Sequence, residues 1–227
     1  LIKVFIFLVI FLASLKGHQN SIGVGTIYSQ SPYIESNNRY LTVPIINWSF
    51  DKLYLRGIEI GYQFCRPFTI LIQPRLNSYE ISGMVDKDFS VDWGFRTGYR
   101  TKDAFMFELK YLSDLLSVHN GYEISLKFSK TFINYPMIFI PYFGVELLSE
   151  NLSNYYYGVS REEERKTFFL TENFNYFLGF VSVYNFNDNY AVSLIHKSTF
   201  LSKQITNSPI IERGYKGSYI FSLVRKF

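Results

Sequence analysis

The closing stretch 217-GSYIFSLVRKF-227 decides how the chain is read. Tyr219, Phe221, Leu223 and Phe227 fall on one side of an extended segment, while Ser218, Ser222 and Lys226 fall on the other. Ile220 and Val224 are apolar exceptions on the polar side. Alternation at a period of two marks a strand lying between two unlike environments. An aromatic residue closes the strand at the C-terminus, where a strand leaving a lipid layer would place one.

The same alternation recurs upstream. In residues 121–132, Tyr122, Ile124, Leu126 and Phe128 oppose Glu123, Ser125, Lys127 and Ser129. In 89–100, Phe89, Val91, Trp93 and Phe95 oppose Ser90, Asp92, Gly94 and Arg96; in 137–150, Phe139, Pro141 and Phe143 share a face against Gly144 and Glu146. Weaker versions lie at 22–28, 40–49, 53–64, 68–77, 104–112, 174–185 and 190–200, which with the last strand makes eleven candidates. A barrel with both termini at one end needs an even number. The expectation is an all-β fold, an antiparallel transmembrane β-barrel of about 10–12 strands. Residues 101–103, 134–136 and 187–189 are expected as periplasmic turns, and 29–38, 78–87, 151–167 and 203–216 as polar extracellular loops. Gly57, Gly61, Gly94 and Gly98 are expected as inward-facing strand glycines that relieve crowding.

Composition agrees. The 227 residues are 48% hydrophobic and 19% aromatic, with 23 Phe and 19 Tyr against 2 Trp, as aromatic girdles at two membrane interfaces require. Mean hydropathy is near zero, which excludes a bundle of spanning helices. The +4 net charge is scattered, so a nucleic-acid surface is not expected. The single cysteine, Cys65, excludes an internal disulfide and a cysteine metal cluster. Residues 1–19 carry an early Lys3, an apolar run and small residues, and read as a secretory signal peptide cleaved between Gly17 and Asn20. Residues 20–227 then form one barrel domain.

On this register the interior carries Glu59, Arg75, Asp92, Arg96, Glu108, Lys110, Glu123, Lys127 and Glu146. Both signs are near balance, and charges held away from bulk water need partners. A paired polar plug is therefore expected over an ion-selective ring, with a small-solute channel as the alternative.

One constellation has the parts of an ester hydrolase. His196 and Ser198 share a strand face, and Glu212 follows in the next loop, supplying a base, a hydroxyl nucleophile and an orienting carboxylate. This resembles the His-x-Ser of lipid A deacylase barrels and implies a lipid A or phospholipid ester hydrolase. Thr199 stands where that family has Asn, and the chain is longer than an eight-stranded barrel needs. No spacing of His, Asp or Glu suggests a metal site, and no cofactor is expected. The 161–166 run of mixed charge reads as a solvated loop.

A second resemblance covers most of the chain. The loop Asn154-Tyr155-Tyr156-Tyr157-Gly158-Val159-Ser160 is followed by Asn207-Ser208-Pro209-Ile210-Ile211-Glu212-Arg213-Gly214 and a strand closing on Phe227. Earlier, Val43-Pro44-Ile45-Ile46-Asn47-Trp48 precedes Leu55-Arg56-Gly57 and Gly61-Tyr62, and Ser113-Asp114-Leu115 precedes His119-Asn120-Gly121. Together these resemble the MltA-interacting protein (MipA/OmpV) family. The resemblance implies a non-enzymatic barrel in the outer membrane of a Gram-negative bacterium. Its partners would be outer-membrane lipid and murein hydrolases or synthases, which it would serve as a scaffold. It also makes Glu212 a loop-motif residue, which weakens it as a catalytic carboxylate.

Overall fold

The computed structural model describes residues 20–75, 87–161 and 165–227. The expected signal peptide, most of the 78–87 loop and residues 162–164 of the charge run lie outside the described residues. The strands are β1 (Ser21–Gln30), β2 (Arg39–Phe50), β3 (Leu53–Arg56), β4 (Glu59–Cys65), β5 (Phe68–Arg75) and β6 (Ser90–Arg100). They continue as β7 (Phe105–Asp114), β8 (Tyr122–Lys130), β9 (Phe132–Asn134), β10 (Met137–Leu148), β11 (Asn173–Asn185), β12 (Tyr190–Phe200) and β13 (Tyr215–Lys226). Segments β8 and β9 both pair with β10, one above the other, so they form a single stave. The result is a closed antiparallel barrel of twelve staves, sealed by β13 pairing with both β12 and β1.

The closing stretch is therefore the seam. Phe221 sits opposite Thr26 on one side and Leu194 on the other, and Leu223 opposite Val24 and Val192, extending the apolar outer band across the closure. Closure removes the exposed sheet edges that would otherwise template aggregation. The outer face keeps its apolar side chains in the open: Phe143 is 63% exposed and Tyr176 64%. A soluble fold would bury such residues; a lipid-facing wall does not.

One expectation needs correction. Residues 53–64, read as one strand, are the hairpin β3–β4, which supplies the twelfth stave. Gly57 is not a strand glycine; it turns the hairpin with φ of 59°, a left-handed conformation that side chains resist and glycine does not. Because this hairpin is short, β3 pairs only with the lower end of β2, at Asn47 to Phe50. The backbone N–H of Gly57 still reaches Ile46 O at 2.9 Å. Above that point the β2–β3 ladder stops, and Gln73, Pro74 and Arg75 of β5 pair with β6 alone.

Candidate functional site: a lidded lumen

At the long-loop end, connections fold inward and build the main apolar cluster. Strand β10 ends at Leu148, and Ser149 caps helix α1 (Glu150–Tyr157), its Oγ accepting from the backbone N–H of Tyr122 at 2.8 Å and of Leu152 at 3.3 Å. The i, i+4 pair Leu152 and Tyr156 faces the barrel, with Tyr157 beside it. The 151–167 segment, expected as a polar loop, thus begins with an apolar stripe that its polar neighbours disguise. Asn154 clips the segment to itself, donating to Leu170 O and accepting from the Leu170 N–H, both at 2.7 Å.

The connection after β12 adds the short helix α2 (Lys203–Thr206) and the Ser208–Ile211 turn, with Pro209 in the position that its fixed φ suits. Leu152, Ile205 and Ile210 are fully buried, each contributing roughly 1.5–3 kcal/mol. Tyr33, from the connection after β1, completes the cluster. Hydrogen bonds fix the pieces to one another. Ser208 Oγ donates to Tyr157 O at 2.6 Å, Tyr33 Oη to Tyr156 O at 3.0 Å, and the Ile34 N–H to Ile210 O at 3.0 Å. The two loops singled out in the sequence are therefore halves of one lid, Val159 and Ile210 buried together and Ile211 packed against them. Phe227, at the opposite end, donates its N–H to Asn20 O at 2.9 Å across the seam.

Under the lid, the inward charges sort into two groups. Toward the short-turn end Arg96 pairs with Glu59 and lies 4.0 Å from Glu108, which takes Lys127 at 2.8 Å. Tyr54, folded over Gly61, donates to Glu59 at 2.8 Å. Nearer the lid Arg75 bridges Asp92 and Glu123, the latter at 2.9 Å. Lys197 meets Glu146 at 3.1 Å, and Asn175 donates to the same carboxylate at 3.4 Å.

A cavity of about 310 Å³ opens between this second group and the lid. Arg75, Lys110, Lys197 and Lys216 line it against Glu123 and Glu146. Lys110 donates to Gln73 Oε1 at 3.1 Å and Lys216 to Tyr157 Oη at 3.2 Å; among the described residues neither has a carboxylate ion-pair partner. Lys197 and Lys216 were missed in the sequence. The signal for Lys197 was there, since with His196 and Ser198 on one strand face Lys197 must take the other; Lys216 was assigned to the loop, whereas β13 begins one residue before it, at Tyr215.

Asp92, Asp114 and His119 also converge, which their sequence spacing did not reveal. Their lone pairs are already engaged. The Gly121 N–H donates to His119 Nδ1 at 3.1 Å, which leaves the proton on Nε2, 3.1 Å from Asp92 Oδ1. Asp114 Oδ2 takes the backbone N–H groups of His119 at 2.5 Å and Asn120 at 2.8 Å. This cluster pins the β7–β8 loop to the lumen wall.

The hydrolase candidates are only partly assembled. Ser198 Oγ lies 3.1 Å from His196 Nε2, on the outer face. His196 Nδ1 faces Ser218 O at 3.2 Å, where an orienting carboxylate would sit, and the ring stacks on Tyr219 at 4.3 Å. Glu212 is exposed in the lid, its backbone N–H on Pro32 O at 2.9 Å.

The family model described as MltA-interacting protein MipA matches residues 22–227. The chain is 23% identical over 223 residues to the MltA-interacting protein of Escherichia coli K12, covering 91% of this chain and 90% of that one. It is 24% identical over 234 residues to the putative outer membrane protein YiaT of E. coli K12, covering 96% and 94%. It is also 28% identical over 169 residues to outer membrane protein OmpV of Vibrio cholerae, covering 70% and 58%.

Proposed function

The chain belongs to the MltA-interacting protein MipA family of Gram-negative outer-membrane barrels, and on that premise we propose that it is a non-enzymatic scaffold that holds a murein hydrolase or synthase at the outer membrane. The lid carries this reading. A barrel whose long-loop mouth is packed with apolar side chains, and whose lumen charges are mostly paired, is built as a rigid body rather than a wide conduit. Short turns at the other end, around Lys102 and Asp188, present exposed polar residues to the compartment where murein lies. The name of the E. coli relative, MltA-interacting protein, supports a murein hydrolase as the partner.

The test is photo-cross-linking in intact envelopes, with the cross-linking amino acid placed at Lys102, at Asp188, or at Lys203 in the lid. A murein-modifying enzyme captured from Lys102 and Asp188 and not from Lys203 is expected. Equal capture from both ends, or capture of lipid alone from the turns, contradicts the scaffold.

A further inference from the structure

We infer that the cavity under the lid is a binding site for one compact anionic group, a carboxylate or a phosphate, held between Lys110 and Lys216. The charge count points there. Counting Asp92, which sits on Arg75, four cations face three carboxylates around the cavity. The pairing is specific: Arg75 takes Asp92 and Glu123, and Lys197 takes Glu146. What remains are two ammonium groups on neutral oxygens, those of Gln73 and Tyr157. Glu123 acts on both ammonium groups, and Glu146 on Lys216, but Glu123 is already paired with Arg75 and Glu146 with Lys197. The two carboxylates are shared among more cations than they can neutralise, and an excess charge held away from bulk water is costly. A single added negative charge balances the site.

The volume and the walls narrow the ligand. About 310 Å³ is at the small end of organic-ligand pockets, room for a headgroup with a short substituent. Two apolar wall residues, Ile58 at the hairpin turn and Pro74 on β5, border the cavity where the β2–β3 ladder stops. An apolar substituent on the anion has a surface to lie on there. At the short-turn end a vestibule of about 490 Å³ carries Arg56, Arg66, Arg96 and Arg100 against Glu108, a cationic approach for the same kind of solute. Neither feature depends on the scaffold reading, and loss of one role would leave the other standing.

Thermal unfolding of the full barrel in neutral detergent tests the site, with inorganic phosphate, hexanoate, lysophosphatidate and uncharged hexanol as probes. Saturable stabilisation by at least one anion and none by hexanol is expected. Tightest binding of phosphate or hexanoate assigns a free solute; tightest binding of lysophosphatidate assigns a lipid headgroup. Lys110→Met and Lys216→Met should each weaken that anion about tenfold or more, a loss near 1.4 kcal/mol, while Lys110→Arg and Lys216→Arg keep it. Heat-modifiable migration on a gel verifies that each variant has folded. Equal stabilisation by hexanol, no saturable anion effect on the unsubstituted barrel, or an unchanged affinity in the double Met variant overturns the site.

Discussion

Ser208 Oγ donates a 2.6 Å hydrogen bond to the carbonyl oxygen of Tyr157, joining two loops 51 residues apart in the chain. Both partners are buried, so the bond cannot be traded for one to water. Ser208→Ala leaves the carbonyl without that donor and should cost about 1–3 kcal/mol. The loss should be confined to the lid: amide exchange across residues 150–160 and 204–212 accelerates while the strand ladder keeps its protection. Uniform acceleration through the barrel would show that the lid is not a separate unit.

The two motif glycines should behave differently. A Cβ on Gly158 would lie 2.7 Å from Asn154 O, a backbone atom already accepting the Gly158 N–H. On Gly214 it would meet nothing closer than Thr206 Cγ2 at 3.5 Å. Gly158→Ala is therefore expected to loosen the lid, and Gly214→Ala to leave urea stability within about 0.5 kcal/mol of the parent. Equal sensitivity of the two, measured by the same exchange experiment, would assign Gly214 a role that packing does not give it.

How much of this could be read from the sequence depends on what each feature obeys. Alternation is local, so the outer face of β6, β8, β10 and β13 and nearly all the inward charges were legible. Hairpin β3–β4 was not, because Ile58, Ile60 and Tyr62 oppose Gly57, Glu59 and Gly61 in a strand-like alternation that starts within the turn, and the break shows only in the φ of Gly57 and the pairing of Arg56 with Glu59. The lid was half legible. Its two loops stood out as motifs, yet nothing local says that Ser208 meets Tyr157 or that Leu152 and Tyr156 face inward beneath Asn151 and Asn154. The cationic excess of the cavity was hidden for a similar reason: Lys216 follows a loop, and its lumen position is set by pairing with Thr199 across the β12–β13 ladder.

Arg75 should be the costliest lumen charge to remove. Its guanidinium serves Asp92 and Glu123 together, with side-chain exposures of 2% and 14% for those carboxylates. Arg75→Met removes the paired cation from both, leaving Asp92 with the His119 ring alone, and is expected to cost about 3–5 kcal/mol in urea unfolding monitored by heat-modifiable migration. Lys127→Met, at a side chain one-third exposed, should cost far less. Similar losses at the two positions would mean that the pairs do not carry the rigidity assigned to them.

Alkali should loosen the lid before the wall. Burial pushes the Tyr156 hydroxyl above the usual tyrosine range. The folded lid favours the neutral phenol, so this contribution is whole below the unfolded value near 10 and is lost as pH rises toward the higher folded one. Amide exchange in α1, corrected for its intrinsic pH dependence, should rise above pH ~10 while β10 and β11 stay protected. In Tyr156→Phe that rise should be reduced.

Planar-bilayer conductance tests the lidded barrel most directly. The unsubstituted protein is expected to give a silent bilayer, and Ile210→Asp, which drives a charge into the fully buried centre of the lid, to give stepwise ionic currents. A steady ohmic current from the unsubstituted barrel, unchanged by Ile210→Asp, would contradict the account: the lid would then not close the lumen, and the chain would be read as a channel.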